Sequence, residues 1–187
     1  MRPPSVTVAP SRFAANLKFA TDWMPACKRL ISPYLLREAT HEEDCCEATD
    51  LRVLIARDLR IGCRVRGRER EYWRKFFFEI TIRSALPTGV ATEYDKLLAG
   101  WCDWLFYAHA RTDTGEALCP WWLVDLHAWR YYVRTYEHLD MFNEIDNADG
   151  SSSFRKYDLR QLARLEKNGP AILIASSHRL TDEIPSF

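Results

Sequence analysis

The sequence contains no apolar run approaching the roughly eighteen residues that a membrane-spanning helix needs, so no transmembrane segment is expected. Its opening stretch, MRPPSVTVAP, lacks an apolar core; a secretory signal is not expected, and the expected location is cytoplasmic. Glycine is scarce at 7 of 187 residues, and no Gly-rich phosphate loop, Gly-x-Ser-x-Gly elbow or His-Glu-x-x-His pair occurs. The formal net charge is +0. The six cysteines fall at no disulfide-framework spacing and read as reduced, small core residues. There is no internal repeat, and no linker is long enough to divide the chain into separate domains.

What is present is a globular composition. Apolar residues make up 47% and aromatics 13%, enough for one domain with a substantial core, over 12–187 after a flexible Pro-rich 1–11. The seven tryptophans read as core or interface anchors before they read as stacking platforms.

Periodicity lays out the elements. Phe13, Leu17, Ala20, Met24 and Cys27 recur at helical spacing after Ser11 as N-cap, with Pro25 expected to kink or split the helix. Three strand-like runs follow: Leu51–Ala56, Leu59–Val65 and Phe76–Ile82. Arg57-Asp58 reads as the hairpin turn between the first two. Thr92 is placed to cap a helix over Glu93–Gly100. Trp104–Ala110 and Pro120–Leu126 read as a returning pair of strands. Ala128–Leu139 is expected to be a helix, Phe154–Leu159 a strand, Leu159–Lys167 a helix and Ala171–Ala175 a last strand. The class is α+β, with a mostly antiparallel central sheet flanked by helices and the three early strands as neighbours.

The second run alternates. Leu59, Ile61, Cys63 and Val65 share one face; Arg60, Gly62, Arg64 and Arg66 share the other, which is expected to be wet. Between Arg52 and Lys75 nine basic residues, Arg68 and Arg70 among them, face three acidic ones, a local excess of six in a neutral chain. A polyanion is the natural partner of such a face, and Arg60, Arg64, Arg66, Arg68 and Arg70 are the candidate nucleic-acid contacts. Acidic residues precede it. Metal-dependent phosphodiester hydrolysis needs two or three oxygen ligands for Mg²⁺ and a cation near the scissile phosphate. Asp50, Glu43 or Glu47, and Arg64 are candidates for that group. The alternative is a solvated acidic turn beside balancing arginines. Two weaker constellations are a mixed zinc site of His41, Cys45, Cys46 and Cys63, and a pairing of His109 with His127 across the hairpin.

The order helix, Asp at a strand start, hairpin and charged second strand resembles the PD-(D/E)XK nuclease superfamily, within it small nuclease-like proteins of phages and prophages. The matching residues are Asp50 in TDLRVLI, IGCRVR at 61–66, EITIRS at 79–84, TEYDKLLAGW at 92–101 and WLFYAHA at 104–110. The resemblance implies a restriction-endonuclease-like fold, a catalytic set of Asp50, Arg64 and Glu79, and Mg²⁺ held by Glu43 and Asp50. Gly62 and Cys63 stand where those proteins carry a Gln-Glu pair, so the second acidic ligand must come from Glu79, Glu93 or Glu43. Arg64 stays protonated and serves as a clamp, not a base. The resemblance therefore implies either a metal-dependent nuclease or a catalytically inactive module that binds nucleic acid or a protein, such as a phage anti-defence protein.

Overall fold

The run Trp104–Ala110 is buried at every residue, the mark of a strand covered on both faces. It is the centre of the protein. The computed structural model describes residues 10–38, 51–53, 59–67, 72–86, 88–111, 117–136, 144–147 and 149–184. In chain order these form α1 (Pro10–Ile31), β1 (Leu36–Glu38), β2 (Leu51–Val53), β3 (Ile61–Arg66), α2 (Tyr72–Lys75), β4 (Glu79–Ala85), α3 (Glu93–Leu98), β5 (Trp104–Ala110), β6 (Leu118–Asp125), α4 (Leu126–Tyr136), β7 (Glu144–Asp146), β8 (Ser153–Asp158), α5 (Leu159–Leu165) and β9 (Leu173–Ser176).

The class is α+β. A four-stranded mixed sheet runs in the order β3-β5-β6-β9, a three-stranded antiparallel sheet in the order β4-β8-β7, and β1-β2 form a separate pair. Pairing within the large sheet is antiparallel except for β3, which lies parallel to β5 with Ile61 beside Trp104 and Arg66 beside His109. A parallel neighbour requires a long crossover. Here the crossover is the whole stretch carrying α2, β4 and α3.

Two cores lie on the two faces of this sheet, and alternation along β5 and β6 sorts the residues between them. Trp104, Phe106, Ala108, Trp121 and Leu123 pack with Trp23, Ala26, Cys27 and Ile31 of α1. Leu105, Tyr107, Trp122 and Val124 pack with Ile80, Ile82, Trp129, Tyr132 and Tyr157. The Trp122 indole N–H donates to the Phe77 carbonyl at 3.1 Å, tying the sheet to the turn before β4.

Several expectations hold. The α1 helix, the Thr92-capped helix, the β5–β6 hairpin, the β8–α5 pair and the last strand all form. Others are corrected. Pro25 does not split α1, which is one continuous helix with Pro25 inside it. Trp23 before it and Ala26, Cys27 and Ile31 after it all bury in one layer, so packing holds both halves together. The three early strands are not neighbours. β2 pairs with β1, β3 joins β5, and β4 belongs to the other sheet beside β8. Local alternation specified each strand but not its partner. Burial of Phe77, Phe78, Ile80 and Ile82 against Trp122, Trp129 and Tyr157 takes β4 away from β3. The Arg57-Asp58 turn and residues 1–9 lie outside the described residues. Among the described residues, no helix is long and apolar enough to cross a membrane.

Candidate functional site

The alternation on β3 divides its side chains as the sequence indicates, but the arginine face is not wet. Arg64 and Arg66 turn inward toward β4 and α3. The Arg64 guanidinium donates to the Thr81 carbonyl at 3.2 Å and to the Glu93 carboxylate, and its side chain is 20% exposed. Arg66 donates to the Tyr107 hydroxyl at 3.0 Å and to Thr81 Oγ1. Thr81 Oγ1 and the Tyr107 hydroxyl also share a hydrogen bond of 3.0 Å. Two arginines are thereby held by three neutral oxygens and one carboxylate.

Glu93 owes its position to the start of α3. Thr92 and Asp95 form a reciprocal cap: the Thr92 N–H donates to the Asp95 carboxylate at 2.7 Å, and the Asp95 N–H returns to Thr92 Oγ1 at 3.4 Å. The Thr92 hydrogen bonds hold the Asp95 carboxyl below its usual range. This cap fixes the first turn, so that Glu93, its first residue, reaches both Arg64 and the Arg83 backbone N–H, the latter at 3.3 Å. Lys96 lies on the same helix face three residues on. Gly100, at φ +82, then turns the chain out of the helix, and Trp101 follows.

These elements enclose an open cleft of about 540 Å³. Arg64, Arg83, Glu93, Lys96 and Trp101 line it, together with Gly62, Leu97 and Leu105. At Gly62 a Cβ would rest 3.6 Å from Cys102 Sγ and Leu105 Cδ1, so its absence deepens the cleft without being demanded by the backbone. Three cations meet one carboxylate. Burial, with the charges of Arg66 and Arg83 adding to it, pulls Arg64 down to about 10, which still leaves it protonated at neutral pH. Among the described residues the Arg83 and Lys96 side chains make no ion pair, and the Lys96 ammonium lies 5.9 Å from the Trp101 ring centre.

His109 sits behind this cluster. It is 2% exposed, and among the described residues neither ring nitrogen has a hydrogen-bond partner. Burial and then the Arg66 charge push it down to about 4, so the ring is neutral at physiological pH. It does not face His127. Trp104 pairs with Asp125 at the end of the hairpin that leads into His127, whereas His109 lies at the bulge between the Ala108–Trp121 and Ala110–Leu118 pairs.

The other expected residues separate. Arg60 is not in the cleft: its backbone N–H and Nε donate to Asp103 at 2.9 and 3.2 Å, and its guanidinium to the Gly100 carbonyl at 2.7 Å. Glu79 pairs with Lys156 at 3.0 Å and does not line the cleft, so it does not join Arg64 as the expected catalytic set requires. Cys63, set by the alternation on the buried face, is exposed; its proximity to Cys27 of α1 lowers the Cys63 thiol and raises that of Cys27. Glu43, Asp50, Arg68, Arg70, His41, Cys45 and Cys46 lie outside the described residues. Among the described residues, no group of three His, Cys, Asp or Glu is placed to hold a metal ion. Among the described residues Glu93 is the one cleft carboxylate and it is engaged by Arg64, while the expected Mg²⁺ ligands Glu43 and Asp50 lie outside the described residues.

Arg83, Lys96 and Trp101 were not singled out from the sequence. The available signal was local: Glu93 and Lys96 share a helix face, and a Gly-Trp step follows it. Compared with protein-family models, curated proteins and solved structures, the chain gives no match.

Proposed function

We propose that the protein binds nucleic acid through the cleft between β3, β4 and α3, in the cytoplasm, as a module without catalysis. The PD-(D/E)XK relationship and its restriction-endonuclease-like frame belong to this proposal on motif likeness alone. The observation that carries the reading is the charge balance: Arg64, Arg83 and Lys96 line one cleft in which Glu93 is the one carboxylate among the described residues, and it pairs with Arg64. Arg83 and Lys96 are exposed and carry no counter-charge among the described residues, so both are open to an incoming phosphate. Binding of labelled DNA and RNA at two salt concentrations tests it. Affinity falls with salt, and Arg83→Glu with Lys96→Glu abolishes binding while the fold is retained. Undiminished binding by that double variant removes the cleft from the function. If no nucleic acid binds at low salt, a protein partner becomes the better reading.

Metal-dependent hydrolysis is the second reading: Glu93, one of the carboxylates the resemblance offers for the missing acidic ligand, lines the cleft, and Asp50 and Glu43 lie outside the described residues. Cleavage of plasmid and single-stranded substrates that is lost on adding chelator supports it; inert substrates with Mg²⁺ or Mn²⁺ exclude it.

A further inference from the structure

We infer that the cleft takes an unpaired nucleotide of a single strand, its base stacked on Trp101 and its phosphate between Arg83 and Lys96. This rests on the nucleic-acid reading and names the substrate class.

Trp101 is 60% exposed, whereas Trp23, Trp104, Trp121, Trp122 and Trp129 are each at most 8% exposed. One exposed indole alone is ordinary on a protein surface. This one lines a concave site and lies within 5.9 Å of a lysine that makes no ion pair among the described residues. The lysine lies over the indole and has no counter-charge among the described residues; an aromatic face with a cation at its side is the pairing that single-strand binders use, the ring for the base and the cation for the backbone.

Size and charge favour a single strand over a duplex. A cleft of about 540 Å³ suits a small ligand or one nucleotide, not a double helix. A duplex would need a row of exposed cations along its backbone. The row on β3 cannot provide one. Arg60 is held by Asp103 and Gly100, Arg64 by Glu93, and Arg66 by Thr81 and Tyr107. Among the described residues lining the cleft, Arg83 and Lys96 remain, enough for one or two phosphates. Each phosphate adds about 0.7 to the salt slope for single strands, so the slope is shallow, about 0.7 to 1.4.

The test measures fluorescence anisotropy of labelled oligothymidylate and of a duplex of equal length, with wild type, Trp101→Ala, Trp101→Phe and Arg83→Gln/Lys96→Gln. Wild type prefers the single strand. Trp101→Ala weakens it by about tenfold or more, from the loss of base stacking, and leaves the salt slope unchanged. Trp101→Phe restores most of the affinity, and the Gln pair flattens the slope. Equal binding of duplex and single strand, or wild-type affinity in Trp101→Ala, overturns the stacked-base site and leaves the nucleic-acid reading standing. Absence of binding to either probe at low salt overturns both.

Discussion

The Arg64 guanidinium donates to the Glu93 carboxylate, joining the edge strand β3 of the large sheet to the first residue of α3. Their side chains are 20% and 29% exposed, between a surface ion pair and a buried one. Exposed pairs contribute under about 1 kcal/mol, whereas breaking a buried pair costs about 3–5 kcal/mol because the remaining charge is stranded. The same pair sets the cleft's electrostatics, since Glu93 is the carboxylate offsetting Arg64, Arg83 and Lys96.

Stability and affinity should therefore move in opposite directions in Glu93→Gln. Arg64 keeps the Thr81 carbonyl but loses its counter-charge. A cost of about 2 kcal/mol, lowering Tm by about 4–8 °C, is expected. The cleft gains one net positive charge, so single-stranded DNA binds more tightly and with a steeper salt slope. Calorimetry and a salt titration on one preparation check both signs; weaker binding would show that Glu93 itself contacts the ligand.

Acid should weaken the fold through His109. Its pKa falls from the ordinary 6.5 to about 4 in the folded protein. The unfolded chain then binds the extra proton first, so this contribution is intact above pH 6.5 and is lost as pH falls toward 4. Full loss is about 3 kcal/mol. Denaturant unfolding of wild type and His109→Gln at pH 7 and pH 4.5 isolates it: the difference between the two pH values should be smaller in the variant. An unchanged difference would assign the acid sensitivity to carboxylates.

Two buried tryptophans should tolerate loss of the indole N–H unequally. Trp122 donates to Phe77, whereas the Trp129 Nε1 has no partner among the described residues. Both are 0% exposed. Trp122→Phe removes a buried hydrogen bond in addition to the lost volume, and Trp129→Phe removes a buried donor that has no partner among the described residues. Trp122→Phe is expected to be the more destabilising by about 1–3 kcal/mol in urea unfolding. Equal costs would mean that volume alone governs.

Gly169 should not accept a side chain. A Cβ there would lie 2.8 Å from Tyr131 Cε1 and from the Tyr132 hydroxyl, which itself donates to the Pro170 carbonyl at 2.5 Å. Its backbone is extended, so the obstacle is space and not φ. Gly169→Ala is expected to cost about 1–3 kcal/mol from forced displacement of the two tyrosines. A neutral effect in thermal unfolding would show that the rings swing clear.

The sequence alone determined most of the elements and their faces. Period-2 alternation separated Ile61, Cys63 and Val65 from Arg64 and Arg66, and Thr92 marked the start of α3. These are short-range signals, written within a few residues of where they act. It also placed Arg64 in the site and named Glu93 as a stand-in carboxylate. The tertiary structure decided what those faces meet. It made β3 parallel to β5, moved β4 into the second sheet, sent Glu79 to Lys156 and turned Arg64 and Arg66 inward to Glu93, Thr81 and Tyr107. It alone brought Arg83, Lys96 and Trp101 to one cleft. Strand partners and charge partners come from long-range burial, with apolar residues at 77–82 competing for the same core as residues at 122 and 129, and no local pattern encodes that competition.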